Sequence, residues 1–108
     1  MSETSVLARL HKVGPSTVAD LARAEHVKPQ SMGVTVGSLE EEGLVTRRID
    51  PSDGRRLKTS LTEAGKAALL AGRAARQAWL SKALGDHLDD AEQRRLLEAM
   101  SLLRKVLE

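Results

Sequence analysis

Apolar residues recur at helical spacing near the start of the chain, and a turn signal follows them. The pair Gly14-Pro15 supplies a glycine stop and then a residue that cannot continue a helix. We therefore predict a first helix that ends near Val13. The apolar positions on its buried side are Val6, Leu7, Leu10 and Val13.

A second apolar stripe follows the proline and consists of Val18, Leu21 and Ala22. Ser16 stands where an N-cap residue is expected. Three residues, 26–28, separate this stripe from the next helical pattern. A helix, a short turn and another helix have the spacing of a helix-turn-helix motif, although a generic helical hairpin has the same spacing.

The third helix can begin at Pro29, because proline at the first helical position loses only an N–H that would be unpaired anyway. Lys28 before it is a poor cap. The positions fall on two opposite faces. One face carries Met32, Val36 and Leu39, and the other carries Gln30, Val34, Gly37 and Glu41, flanked by Ser31, Gly33 and Ser38.

The exposed face of this helix is small and nearly uncharged. Gln, Ser and Gly allow close approach to base edges, and Gln can pair with adenine. Gly33 and Gly37 each cost roughly 1 kcal/mol of helix propensity relative to alanine. We interpret them as allowing the backbone to sit deep in a DNA groove; the alternative is that neighbouring elements hold the helix despite them. The acidic run 40–42 opposes the helix dipole and repels phosphate, so that end should point away from DNA.

A β-hairpin is predicted next. Gly43 ends the third helix, residues 44–49 are typical of a strand, and Leu57, Thr59 and Leu61 alternate as in a second strand. Residues 50–54 concentrate turn formers at the tip. The segment 47–58 carries five basic and two acidic residues. Basic side chains on a protruding ribbon suit phosphate neutralisation and minor-groove insertion, whereas the alternative is an edge hairpin kept soluble by its charges.

Two long helices complete the pattern. Thr62 can cap a helix from Glu63 to about Leu84 that Gly85 ends, and Asp89 with Glu92 can begin the last one. Together they have more apolar surface than packing on the preceding elements needs, which predicts a dimer interface; the alternative is packing within one domain. The predicted interface residues are Leu69, Trp79, Leu96, Met100, Leu103 and Leu107.

Composition limits the remaining classes of function. A chain of 108 residues with 41% hydrophobic content is about one domain. No cysteine is present, which excludes disulfides and thiolate metal sites. No apolar run approaches the ~20 residues of a membrane span, and no secretory signal opens the chain, so we expect a cytoplasmic protein without a membrane partner. The net charge of +2 is too small to prove a nucleic-acid partner.

Catalysis has little support in the sequence. The three histidines lie on different elements, and neither a nucleophile with its base nor a phosphate-binding glycine loop is visible. His87 lies among Asp86, Asp89 and Asp90, which are typical of helix caps, with a cation site as the alternative. Trp79 suits a core or interface, with a ligand pocket as the alternative. We predict no enzymatic activity, cofactor or metal.

These residues closely resemble the MarR family of winged-helix transcriptional regulators over nearly the whole chain. The most specific parts are the Asp-Pro-x-Asp-x-Arg wing at 50–55 and the Leu-Thr-x-x-Gly that follows at 61–65; the helix-turn-helix spacing is the least specific. The other matching segments are Leu21-Ala22, Pro29-Gln30-Ser31-Met32, Leu39-Glu40, Gly43-Leu44-Val45 and Arg48.

The resemblance implies a homodimer that binds a pseudo-palindromic operator in double-stranded DNA, usually to repress, and that a small aromatic ligand releases. It places Arg55 in the minor groove, with Asp53 orienting it. Further DNA contacts are implied or predicted for Ser16 and Thr17 at phosphate, for Gln30, Ser31, Val34 and Ser38 in the major groove, and for the basic residues Lys28, Arg56 and Lys58.

Departures from the family pattern affect these expectations. Val34 and Gly54 stand where many relatives have Arg, which suggests a weaker phosphate contribution or reliance on Arg55 and Arg56. The family also has a helix before the one at Val6, so either the true start lies upstream of Met1 or this member dimerises with fewer helices.

The predicted fold class is mainly α with a small antiparallel β-hairpin. Residues 1–62 form a winged helix-turn-helix DNA-binding region, and residues 63–108 form C-terminal dimerisation helices continuous with it. The predicted function is sequence-specific transcriptional regulation. The alternative is a winged-helix module that binds a protein and no longer binds DNA.

Overall fold

A computed structural model describes residues 2–107 of the chain, apart from the side chains of Asp53 and Arg55. The predicted mainly α fold with one antiparallel hairpin is confirmed. In chain order the elements are α1 (Glu3–Val13), α2 (Val18–Ala24), α3 (Pro29–Glu41), β1 (Val45–Asp50), β2 (Asp53–Leu61), α4 (Glu63–His87) and α5 (Asp90–Leu107). Two compact units, Met1–Gly72 and Arg73–Glu108, divide the chain within α4.

The first unit encloses an aliphatic core beneath the helix-turn-helix. Periodicity correctly predicts most of its members, although Val13 at the end of α1 is 56% exposed. The core closes off one face of each of the first three helices, so their polar faces are directed outward. Its buried residues are Val6, Leu7, Leu10, Leu21, Ala22, Met32, Val36, Leu39, Val45 and Leu69.

Thr17 rather than Ser16 caps α2. The Thr17 hydroxyl accepts a hydrogen bond from the backbone N–H of Asp20 at 3.0 Å, whereas Ser16 is buried and its hydroxyl donates to the carbonyl of Gly14 at 3.0 Å. The predicted cap at Ser16 is therefore wrong by one residue. The reason is tertiary, because the backbone of Ser16 forms an isolated β-bridge with Thr59.

The helix α3 ends as predicted. Gly43 adopts the left-handed conformation, with φ +77°, in which side chains other than glycine are strained. The chain then reverses into β1, whose residues from Val45 to Ile49 pair with Leu61 to Leu57 of β2. The register shifts after Ile49, and Asp50 pairs with Asp53 around the turn. Ile49 and Leu57 are exposed, whereas Thr59 is buried, so the hairpin leaves the core toward its tip.

Thr62 joins the base of the hairpin to α4. Its hydroxyl accepts a hydrogen bond from the N–H of Gly65 at 3.0 Å, which confirms the predicted cap, and donates to the carbonyl of Gly43 at 2.7 Å. The backbone N–H of Thr62 also donates to the carbonyl of Leu44 at 3.1 Å. One side chain therefore links the end of α3, the start of β1 and the start of α4.

Two predictions about α4 are wrong. The helix continues through Gly85 to His87, because Gly85 does not adopt the positive φ that ends α1 and α3 at their glycines. Leu69, predicted at the dimer interface, is only 2% exposed and belongs to the core of the first unit. It lies on the portion of α4 that precedes the boundary at Gly72, so it is not available to a partner.

The second unit contains the rest of α4 and α5. As predicted, Asp89 and Glu92 form a reciprocal capping box: the carboxylate of Asp89 accepts from the N–H of Glu92 at 2.7 Å, and that of Glu92 accepts from the N–H of Asp89 at 3.1 Å. All of α5 is described, and none of its residues is buried within the single chain. Its large apolar residues are exposed, as is Trp79 of α4 at 71%.

Gly65 allows the close approach of α4 to the base of the hairpin. A Cβ at this position would overlap the carbonyl oxygen of Leu44 and lie 2.8 Å from Cδ1 of Leu61. Gly65→Ala should therefore destabilise the protein by about 1–3 kcal/mol or more, because backbone cannot move aside as a flexible side chain would.

The matched control is Gly72→Ala in the same helix, where a Cβ meets nothing within 4 Å. It should stabilise by up to about 1 kcal/mol through helix propensity alone. Urea denaturation followed by circular dichroism measures both changes. Equal effects of the two substitutions would contradict the packing role of Gly65.

Candidate nucleic-acid interface

The outer face of α3 projects from the first unit because the opposite face is fixed in the core. Met32, Val36 and Leu39 are fully buried. Gln30 and Ser31 are exposed, and Val34 is 75% exposed. Three of the predicted major-groove residues are therefore brought together on one accessible surface, at the N-terminal end of the helix.

Ser38, the fourth predicted major-groove residue, lies further along α3 and is half-buried. Its hydroxyl donates a hydrogen bond to the carboxylate of Glu3 in α1 at 3.0 Å. Contact with a base would require exchange of this bond. The contact spans 35 residues, and no local sequence pattern indicates it.

The glycines of α3 are not required by packing among the described residues. A Cβ at Gly33 would meet nothing within 4 Å, and a Cβ at Gly37 would lie 3.6 Å from Nη2 of Arg47, an ordinary contact. The interpretation that these glycines admit a DNA backbone therefore stays a prediction. It concerns the outer surface of the helix, where alanine would fit.

At the start of α2 the structure brings Thr17, and not Ser16, toward solvent. Thr17 is half-buried, whereas Ser16 is 9% exposed. Lys28, between α2 and α3, is exposed. The predicted contacts near the turn of the helix-turn-helix thus reduce to Thr17 and Lys28.

Three basic residues of the hairpin form ion pairs with acids on three different elements. Their nitrogen–oxygen distances are 3.2 Å for Lys58–Asp50, 3.6 Å for Arg56–Asp20 and 3.6 Å for Arg47–Glu40. Arg48 is exposed on β1 opposite Lys58. The side chains of Asp53 and Arg55, the predicted minor-groove pair, lie outside the described residues. The positive charge of the hairpin is thus partly balanced within the chain.

Asp50 stabilises the turn of the hairpin. Its Oδ1 accepts hydrogen bonds from the backbone N–H of Ser52 at 3.0 Å and from the Ser52 hydroxyl at 2.8 Å, and its Oδ2 faces Lys58. These bonds, followed by the ion pair with Lys58, lower the pKa of Asp50 from 3.8 to about 2. The carboxylate therefore stays ionised and closes the turn.

Asp20 is a second acid at this surface, and sequence reasoning did not single it out. Its carboxylate pairs with Arg23 at 2.7 Å, one turn later in α2, and with Arg56 of the hairpin. Hydrogen bonds with Thr17 and Arg23 lower the pKa of Asp20, and the charges of Arg23 and Arg56 contribute less. The pattern Thr17-x-x-Asp20 is a capping signal that could have indicated the local part of this arrangement.

Comparison with known proteins agrees with this geometry. The model of the MarR family matches residues 1–57, which is more than half of the chain. The chain belongs to the MarR family. Its function is that of a DNA-binding transcriptional regulator.

Individual relatives match all or nearly all of this MarR-family chain. It is 35% identical over 108 residues to an uncharacterized HTH-type transcriptional regulator of Mycobacterium bovis, covering 100% of this chain and 75% of that protein. A transcriptional regulator of Pseudomonas aeruginosa PA01 has a similar structure, with a TM-score of 0.87 and 31% identity over 98% of this chain and 74% of the other. A MepR-like protein complexed with pseudoligands has a TM-score of 0.65 and 30% identity, over 97% and 73% of the two chains.

A cation site at His87 and a ligand pocket at Trp79 are the other sites that the sequence of this MarR-family chain left open. Among the described residues, no three His, Cys, Asp or Glu side chains come together in a way that could hold a metal ion, and this includes the group around His87. Trp79 lines a shallow cleft with Lys82, Ala83, Asp86 and His87, all on α4. No helix within residues 2–107 is long and apolar enough to cross a membrane.

The pKa of Asp50 makes the stability of the hairpin depend on pH. Because the folded-state pKa is lowered from 3.8 to about 2, the contribution of Asp50 is present above pH 3.8 and is lost as the pH falls toward 2. The difference in unfolding free energy between the wild type and Asp50→Asn should shrink over that window. Ser52→Ala, which removes only one of the two hydrogen bonds to Oδ1, should show a smaller change of the same sign. Urea denaturation at several pH values measures it, and parallel pH profiles for all three proteins would contradict the assignment.

Proposed function

We propose that this protein binds a pseudo-palindromic operator as a homodimer, represses transcription there, and is released by a small aromatic ligand. The observation that carries the proposal is the juxtaposition, within the first unit, of the nearly uncharged outer face of α3 and a basic hairpin. Gln30, Ser31 and Val34 supply groups that suit base edges and thymine methyls. The hairpin supplies cations that suit phosphates and the minor groove.

The homodimer is proposed from the second unit. The exposed apolar positions of α5 that share one stripe are 37–77% exposed in the single chain. They are Leu96, Met100, Leu103 and Leu107. Apolar surface of this kind on a monomer marks an interaction site. Because the stripe repeats at helical spacing, a helix of a second copy is the partner it suits.

A ligand site is proposed between α1, the end of β2 and the start of α4. A cleft of about 240 Å³ there is lined by apolar Leu10 and Leu61 and by the polar side chains of His11, Ser60 and Lys66. Its volume suits a single-ring compound rather than a larger one. The cleft adjoins Thr62, which links α4 to the hairpin. A ligand that separates these elements would move the wing.

The first test is fluorescence anisotropy of the protein with labelled duplexes from the promoter region beside its own gene. Random duplex serves as the competitor, and the salt concentration is varied. Specific binding should resist the competitor and should weaken about a thousandfold or more between 50 and 200 mM salt if ~6 phosphates are contacted. Absence of binding at low salt would favour the protein-interaction module instead.

Substitutions of individual side chains distinguish contacts with bases from contacts that depend on charge. Gln30→Ala should reduce discrimination between operator and random duplex by about 1–3 kcal/mol, because it removes a base contact. Arg55→Ala should weaken binding by about tenfold or more. Lys12→Ala, which removes an exposed cation on α1 of the same unit, is the charge-matched control and should change little. An unaltered affinity of Arg55→Ala would show that the wing assignment is wrong.

Dimerisation is tested on α5. Leu103→Glu places a charge in the apolar stripe and should shift the protein toward monomer in sedimentation velocity at micromolar concentration. Ser101→Glu, on the opposite side of the same helix, introduces the same charge and should leave the dimer intact. A wild-type protein that sediments as a monomer would refute the homodimer.

A further inference from the structure

One ion pair connects the helix-turn-helix to the hairpin across 36 positions of sequence. Nη2 of Arg56 lies 3.6 Å from Oδ2 of Asp20, and the two side chains are 49% and 46% exposed. The other oxygen of the carboxylate, Oδ1, accepts a hydrogen bond from Arg23 at 2.7 Å. Asp20 therefore holds two arginines at the surface, one on α2 and one on β2.

The Arg56 guanidinium is among the hairpin groups available for a phosphate. A carboxylate and a phosphate compete for the same donors, because the parallel N–H groups of a guanidinium can bind either of them. An exposed ion pair changes an equilibrium constant by at most about fivefold. Such a pair is weak enough for phosphate to displace and strong enough to lower the affinity measurably.

We propose that Asp20 limits the affinity of the DNA interface by holding Arg56 in the unbound protein, so that phosphate must displace it. This inference rests on the proposed function, because it requires the wing to face DNA. Asp20 is an affinity-setting residue that contacts the arginine and not the operator.

Because Arg23 also bonds to Asp20, the exchange of Arg56 from Asp20 to phosphate costs little free energy. When phosphate binds Arg56, the carboxylate of Asp20 keeps its hydrogen bond with Arg23 at 2.7 Å. Hydrogen bonds with Thr17 and Arg23 are the main causes of the lowered pKa of Asp20, and the charge of Arg56 lowers that pKa least. The acid is therefore not left as an unpaired charge in the complex, and Arg56 alone changes partner.

The test compares the wild type with Asp20→Asn in anisotropy titrations on operator and random duplex over a range of salt. Asn keeps the size of the side chain and removes its charge. The variant should bind about two- to fivefold more tightly at low salt. The slope of log affinity against log salt should steepen by up to about one. Asp20→Ala should change affinity in the same direction, which guards against an effect peculiar to Asn.

Glu92→Gln is the matched control. Glu92 is the third residue of α5, as Asp20 is of α2, and each has a backbone N–H that bonds to the residue preceding its helix. The control removes one negative charge at an equivalent position without touching the hairpin. It should leave the affinity unchanged. Circular dichroism on all variants verifies that the protein remains folded.

The specific pair is isolated by repeating the comparison in an Arg56→Gln background. There Asp20→Asn should give little or none of its gain, because the arginine that it releases is absent. An equal gain in both backgrounds would overturn the proposal in favour of general repulsion between Asp20 and DNA. Unchanged or weaker binding by Asp20→Asn would also overturn it.

The two duplexes keep this result separate from the proposed function. A wild type that does not distinguish operator from random duplex refutes sequence-specific regulation. The effect of Asp20→Asn on the random duplex still reports phosphate exchange in that case. Failure of the wild type to bind either duplex at low salt overturns both proposals.

Discussion

The wing is attached to the helices by backbone hydrogen bonds at two places, and the shape of the candidate DNA surface depends on them. Near the end of β2, the backbone of Thr59 donates to that of Ser16 at 2.8 Å and accepts from it at 3.0 Å. At the base of the hairpin, Thr62 donates to the carbonyls of both Gly43 and Leu44. Because these bonds join backbone to backbone or to a helix cap, they fix the hairpin beside the helix-turn-helix whatever side chains its tip carries. The helix α4 can approach this junction only because Gly65 has no Cβ.

With the hairpin fixed in this way, the availability of each of its basic side chains depends on the acid that the side chain faces. A count along the sequence treats every arginine and lysine as available, whereas Arg47, Arg56 and Lys58 each face an acid on α3, α2 or β1. The pairs differ in consequence. Asp50 is nearly buried and also bonds to Ser52, so its ion pair with Lys58 helps to stabilise the turn. Asp20 and Arg56 are both about half exposed, so their pair can exchange with an external anion. The burial of the ion pair, rather than the positive charge of the side chain alone, decides which basic residues can bind phosphate.

The sequence predicts what is local and misses what depends on distant contacts. The start of α3 at Pro29, its end at Gly43, the cap at Thr62 and the box of Asp89 and Glu92 each follow from residues within one turn of each other, and all are confirmed. Ser16 is not the cap because its backbone pairs with that of Thr59, which lies far along the chain. Leu69 is misassigned because the core of the first unit extends into α4, which periodicity alone cannot reveal. The bond between Ser38 and Glu3 and the pair of Asp20 and Arg56 join separate elements, so no spacing rule indicates them.

In the proposed homodimer the second unit would bear on DNA recognition, although no predicted DNA contact lies in it. Most helical stability in proteins comes from packing an apolar face rather than from propensity, and α5, all of which is described, buries no residue within the single chain. In the proposed dimer the stripe on α5 would supply that packing. Two helix-turn-helix units read a pseudo-palindrome only if their separation matches the helical repeat of DNA. The apolar contacts of α5 would therefore set the spacing of operator half-sites, while α3 would set their sequence. Specificity would thus depend on aliphatic residues remote in sequence from every residue that contacts a base.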